Sequence, residues 1–199
     1  MNETLANIAI VAATVGTVTF LMPQMVKLIR TRDSAGVSTT WAALGFVTNV
    51  GWFAFVISQE LWAALLAPFV TFVSYAVTLW ALNRTGRDLR SSIGLGSAWA
   101  LLLAAVVVGA GWEALGVALG LSYGVMLSPS VWTGFKTRDP SGISPATWWI
   151  GLFEAMLWGY YGLYNAAAGM VTFGIVGVAG SLLILGRYYS TRRLAEVPA

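Results

Sequence analysis

Seven stretches of about twenty mostly apolar residues follow one another along the chain, separated by short polar links. They run at about Leu5–Met25, Thr39–Ser58, Leu61–Leu82, Ile93–Ala110, Glu113–Gly134, Pro145–Tyr164 and Ala167–Gly186. A helix needs about 20 such residues to cross the hydrocarbon core of a bilayer. Lipid offers no hydrogen bonds, so every backbone N–H and C=O must be paired within the segment, which makes these runs helices rather than open strands. Charged residues are only 10% of the chain, against roughly a quarter in a soluble domain. Such a chain cannot clothe itself in a solvated surface, and an all-α integral membrane protein is expected.

The basic residues set the orientation. Lys27, Arg30 and Arg32 follow the first run, and Arg84, Arg87 and Arg90 lie between the third and fourth. Lys136 and Arg138 follow the fifth, and Arg187, Arg192 and Arg193 follow the seventh. All eleven Lys and Arg fall on one side if seven helices cross with the N-terminus outside. The net charge of +3 is therefore a membrane pattern. The expected surroundings are a lipid bilayer, in a cell inner or plasma membrane with a cytoplasmic C-terminus, and no nucleic acid. Met1-Asn2-Glu3-Thr4 lacks a basic leader, so the first run reads as a permanent helix. Without cysteine or histidine, disulfides, metal–thiolate sites, thiol nucleophiles and His-based catalysis are excluded. No metal, no cofactor and no enzymatic activity are expected.

The chain also repeats itself. A constant shift of 106 positions superposes Leu21–Trp52 on Leu127–Trp158 without a gap. Nine positions are identical: Leu21/Leu127, Pro23/Pro129, Thr31/Thr137, Arg32/Arg138, Asp33/Asp139, Gly36/Gly142, Ser38/Ser144, Gly45/Gly151 and Trp52/Trp158. Helices one to three form one bundle and five to seven the other. Three helices leave the chain on the opposite side from its start, and one linking helix restores it, so the bundles are parallel. This is the 3+1+3 plan of parallel-repeat transporters. The expected divisions are residues 1–86, a linker helix at 87–111, a second bundle at 112–189, and a tail at 190–199.

Several residues could carry function. Pro23 and Pro129 lie near the inner ends of helices one and five, where a missing hydrogen bond makes either a hinge or a shaped helix end. Pro145, the mate of Thr39, opens helix six, where proline is comfortable. In the inner loops Gly36 and Gly142 suit tight turns, Ser38 and Ser144 suit N-caps, and Asp33 and Asp139 are candidate gate residues. On helix six one face reads Thr147, Gly151, Glu154, Trp158, Tyr161, Asn165, and on helix two Trp41, Gly45, Thr48, Trp52, Phe55. An aromatic plate beside hydrogen-bonding groups suits a sugar, which has apolar faces and many hydroxyls; a lipid-interface tryptophan is the other reading. Glu154 is the one ionisable residue well inside a span, a position that suggests proton coupling or a solute contact. Its mate is Thr48.

Pro23-Gln24 after an apolar helix, the basic loop ending Gly36-Val37-Ser38, then Gly45 and Trp52, resemble the PQ-loop repeat. Two such units joined by one helix resemble the SWEET sugar transporters over nearly the whole chain; one unit alone resembles the dimeric semi-SWEETs. The resemblance implies sugar uniport by alternating access, with a pocket between the bundles lined by Trp52 and Trp158. The family's pocket asparagines, sixteen residues further on, fall at Pro68 and Gly174. Ser130 stands where the first copy has Gln24, and Thr39 where the family has proline. Asn49, Thr71, Ser74 and Thr172 offer other polar groups.

The expected function is transport of a small polar solute, first of all a sugar. The substrate-binding candidates are Trp52, Trp158, Glu154, Thr48, Asn49, Pro68 and Gly174. The alternative is a PQ-loop carrier of amino acids or another metabolite, proton-coupled through Glu154. A seven-helix sensor ranks lower, since a retinal-binding version needs a lysine in the last run and Ala167–Gly186 has none. Assembly into a homo-oligomer is left open.

Overall fold

A computed structural model of the chain describes residues 2–32, 34, 37–136 and 143–195, and gives the backbone alone at 20, 21, 23, 24 and 192–195. Every regular element among the described residues is helical: α1 (Glu3–Thr31), α2 (Thr39–Ser58), α3 (Leu66–Arg84), α4 (Arg90–Lys136), α5 (Pro145–Tyr164) and α6 (Ala168–Ala195). A 3₁₀ turn, Trp62–Ala64, leads into α3. Four stretches are long and apolar enough to cross a membrane: Thr39–Ser58, Trp62–Arg84, Arg90–Lys136 and Ala168–Thr191. The apolar part of α1 that the description covers, Glu3–Thr19, is shorter. Helix α5 has 20 residues, but its tryptophans, tyrosines and Glu154 lower its hydropathy. The chain divides into two compact units, Ile10–Gly116 and Val117–Ala199 with Met1–Ala9.

Helix α4 spans 47 residues, which as a straight rod is about 70 Å, twice a bilayer core. It is not straight. Gly111 has φ 86° and ψ −179°, a region open in practice only to glycine. Before the bend, residues 90–110 climb alongside α2 in the same direction. The Ser92 hydroxyl donates to Thr39 Oγ1 at 2.7 Å, Gly96 sits on Ala43, and the Trp99 indole donates to Thr48 Oγ1 at 3.0 Å. Continued straight from Trp99, the helix would carry residue 116 about 15 Å beyond Phe55. Instead Gly116 lies directly against the Phe55 ring, so the bend returns the chain. Gly111 falls in the gap between the expected fourth and fifth runs.

The 106-residue shift reaches the backbone where sequence identity does not. Helices α2 and α5 both end in a turn whose second residue has positive φ, Glu60 at 56° and Ala166 at 53°. Leu61 N–H then bonds Val56 C=O at 2.9 Å, and Ala167 N–H bonds Gly162 C=O at 2.8 Å. This is the helix-ending loop that satisfies the last carbonyls. At the other ends, Ser38 accepts from Trp41 N–H at 3.1 Å and caps α2. Ser144 stands at the same place before α5 but, unlike Ser38, its hydroxyl takes no backbone N–H of the helix and accepts instead from the Thr147 hydroxyl, also at 3.1 Å, with Pro145 as the first helical residue.

One difference follows from Pro68. Proline lacks the N–H that would bond residue 64, and its ring crowds that carbonyl. The chain therefore makes a 3₁₀ turn at Trp62–Ala64 and starts α3 at Leu66. Gly174 stands at the mate position, and α6 runs unbroken from Ala168.

The helix pairs within each unit pack by different means. Between α2 and α3 the space is filled by Phe46, Phe53, Phe69 and Phe72, whose ring centroids lie 5.3–6.2 Å apart. Tyr75 covers Gly45 so closely that a Cβ there would lie 2.5 Å from the ring. Between α5 and α6 the backbones themselves touch. A Cβ on Gly174 would lie 2.6 Å from Gly159 Cα, one on Gly177 2.7 Å from Ala155 Cβ, and one on Gly162 2.7 Å from Val171 N. Close approach through small residues is how helices associate where lipid provides no hydrophobic drive.

Candidate functional site

The candidate residues gather in two places, one in each unit. In the second unit, α5 presents Glu154 and Trp158 one turn apart, both half-buried. Trp158 meets Phe173 of α6 edge-on, centroids 6.3 Å apart, and Phe173 stacks on Tyr123 of α4 at 4.3 Å with an interplanar angle of 22°. Tyr123 reaches this place because Gly177 has no side chain: a Cβ there would lie 3.0 Å from its ring. Glu154 lies within electrostatic reach of the Tyr123 hydroxyl. The result is a cluster of three aromatic rings drawn from three helices, with Glu154 one helical turn before Trp158. Tyr123 and Phe173 were not among the residues expected to bind a solute. Gly177 carries no pattern of its own, and only its contact with Tyr123 reveals the pair.

In the first unit the mates are occupied differently. Thr48 is buried and accepts the Trp99 indole hydrogen. Asn49 donates its amide to the Gly45 carbonyl one turn back at 2.8 Å. Trp52 is half-buried and meets Phe55 edge-on at 5.6 Å. Thr71 and Ser74 turn their hydroxyls to the carbonyls of Ala67 and Val70, one turn back. Much of the hydrogen-bonding capacity expected to face a solute is thus spent within the helices. Pro68 is buried in the first turn of α3, and Gly174 is buried in the α5–α6 contact. Neither offers a polar side chain, and position 174 has no room for one. Thr172 of α6 likewise donates to Ala168 C=O at 2.8 Å.

The proposed hinge and gate residues lie elsewhere. Pro129 is exposed inside α4, where it deprives Val125 C=O of its usual N–H partner. Ser128 replaces that partner, its hydroxyl donating to Val125 C=O at 2.8 Å, a common repair in membrane helices. Pro23 lies within the span of α1, where the residue before it is Met22 and has no donor to give. Asp33, Asp139, Gly36 and Gly142 lie outside the described residues. Among the described residues no cluster of three His, Cys, Asp or Glu side chains is arranged to hold a metal ion. No family model, no curated protein and no solved structure matches this chain.

Proposed function

We propose that the chain is a membrane carrier of a small polar solute, working by alternating access with its two repeats as the moving parts. The observation that carries this reading is the ring cluster of Trp158, Phe173 and Tyr123, with Glu154 on α5 one turn before Trp158. An ionisable group in a membrane-crossing helix is costly and is retained for a function. Aromatic faces beside a hydrogen-bonding group suit a sugar. The shared helix-ending turns at Glu60 and Ala166 support a duplicated unit, and with it the 3+1+3 plan and the SWEET-like mode of transport. The N-terminus is assigned outside and the basic loops to the cytoplasm. A second reading, a proton-linked carrier of an amino acid or other metabolite, is favoured by the placement of the ionisable Glu154 within the apolar α5.

The test is uptake into liposomes containing the purified protein, with a panel of radiolabelled sugars and amino acids, with and without a pH gradient. Uptake above the empty-liposome rate is expected for at least one solute, and Trp158→Ala is expected to remove it. If no solute crosses, or Trp158→Ala transports normally, the carrier reading fails. Full pH-driven uptake by Glu154→Gln would end the proton-linked version.

A further inference from the structure

Two tryptophan–cation pairs stand at helix ends, away from the site just described. Arg84 is the last residue of α3 and Lys136 the last of α4. One turn before each stands a tryptophan, Trp80 and Trp132. The Arg84 guanidinium carbon lies 5.8 Å from the Trp80 ring centroid, and the Lys136 ammonium lies 5.7 Å from that of Trp132. The two rings are 57% and 69% exposed, so neither is a packing residue. Neither cation has a carboxylate partner among the described residues.

We propose that each pair seats the headgroup of an anionic phospholipid. An exposed indole in a membrane protein rests at headgroup depth, where its apolar ring and its N–H are both satisfied. The ring face holds the cation by its quadrupole, and the carbonyls at the helix end attract the same charge. The cation is therefore placed before a ligand arrives. It also keeps free donors, since an ammonium has three N–H groups and a guanidinium five, and a ring face engages few of them. A phosphate oxygen that meets these donors completes a charge-assisted contact of the stronger kind, while the acyl chains continue down the apolar helix. Every basic residue near an anionic leaflet gains something from its diffuse field. What separates a seat from that field is the ring, which fixes one charge at one place. The proposal rests on the protein's lying in a membrane and not on its carrying a solute.

The experiment is native mass spectrometry of the protein released from nanodiscs of equal phosphatidylglycerol and phosphatidylcholine, counting retained lipids. Phosphatidylglycerol is expected to be enriched over the bulk ratio. Arg84→Gln and Lys136→Gln are each expected to lower its retention about fivefold, the worth of one charge at the surface. Trp80→Leu and Trp132→Leu, which keep the charge and an apolar side chain, are expected to lower it as well. Arg87→Gln, an exposed cation in the loop after α3, is expected to lower it clearly less than Arg84→Gln does. Retention at the bulk ratio overturns the proposal. So does an Arg87→Gln effect equal to that of Arg84→Gln, or full retention in both tryptophan variants, because each outcome reduces the seats to diffuse charge.

Discussion

Replacing Gly111 by alanine tests whether the bend in α4 is built into the chain. The residue sits at φ 86° and ψ −179°, where a side chain costs about 1–3 kcal/mol. A Cβ at this position meets nothing within 4 Å, so the whole cost is in the backbone and none in packing. Gly109, two residues earlier, supplies the control. It too has open space around its Cβ, and its φ is ordinary. There alanine removes the entropy penalty of a helical glycine and gains roughly 0.5–1 kcal/mol. The two substitutions are identical in chemistry, close together, and opposite in expected sign. Reversible unfolding in detergent, followed by the fluorescence of the ten tryptophans, measures both. Gly111→Ala is expected to destabilise by about 1–3 kcal/mol, and Gly109→Ala to stabilise slightly. Equal effects, or a gain at Gly111, would mean that the chain passes residue 111 as ordinary helix, and the return to Phe55 would have no support.

Gly174→Asn, which would install the amide that the resemblance leads one to expect, is predicted to lower stability by at least the roughly 1–3 kcal/mol of an overpacked core; the added Cβ would lie 2.6 Å from Gly159 Cα and 2.9 Å from Ala155 O. Yield and thermal stability in detergent report it. Glu60→Gly and Ala166→Gly should each stabilise by about 1 kcal/mol, because a left-handed conformation is costly for other residues, and unfolding midpoints of the two variants should rise together. Thr48→Val should cost about 1–3 kcal/mol by stranding the Trp99 indole hydrogen, and adding Trp99→Phe should recover part of that loss in a double-mutant cycle.

The reach of the sequence differed from helix to helix. Thr39–Ser58 and Pro145–Tyr164 were read to the residue, since Ser38, Ser144 and the turns at Gln59-Glu60 and Asn165-Ala166 mark their ends. The third run was expected from Leu61, but Pro68 breaks its start into a 3₁₀ turn, a local effect that a count of apolar residues cannot register. Helices α1 and α6 outrun their apolar stretches, to Thr31 and Ala195. In α1, Leu28 joins a buried cluster with Tyr75, Ala81 and Leu82 of α3, and in α6 the Arg187 guanidinium donates to the Gly134 carbonyl of α4 at 3.2 Å. Such contacts come from the neighbouring helix and leave no periodicity in the strand of letters being read. At the candidate site, helical spacing did gather Glu154 and Trp158. It said nothing of Trp99, because the first part of α4 has no second copy in the sequence to compare, and nothing of Tyr123, which enters only because Gly177 makes way.

The glycine contacts between α5 and α6 bear on how freely the sequence of each unit can vary. Where Phe53, Phe69 and Phe72 fill the gap between α2 and α3, one side chain can shrink while a neighbour grows, and a lineage can cross that ground by small exchanges. Where Gly159 and Gly174 touch, every alternative residue is larger, and no single exchange opens the space it needs. A protein that once closed such a contact would find it hard to undo. Substitutions should then be tolerated more readily between α2 and α3 than between α5 and α6.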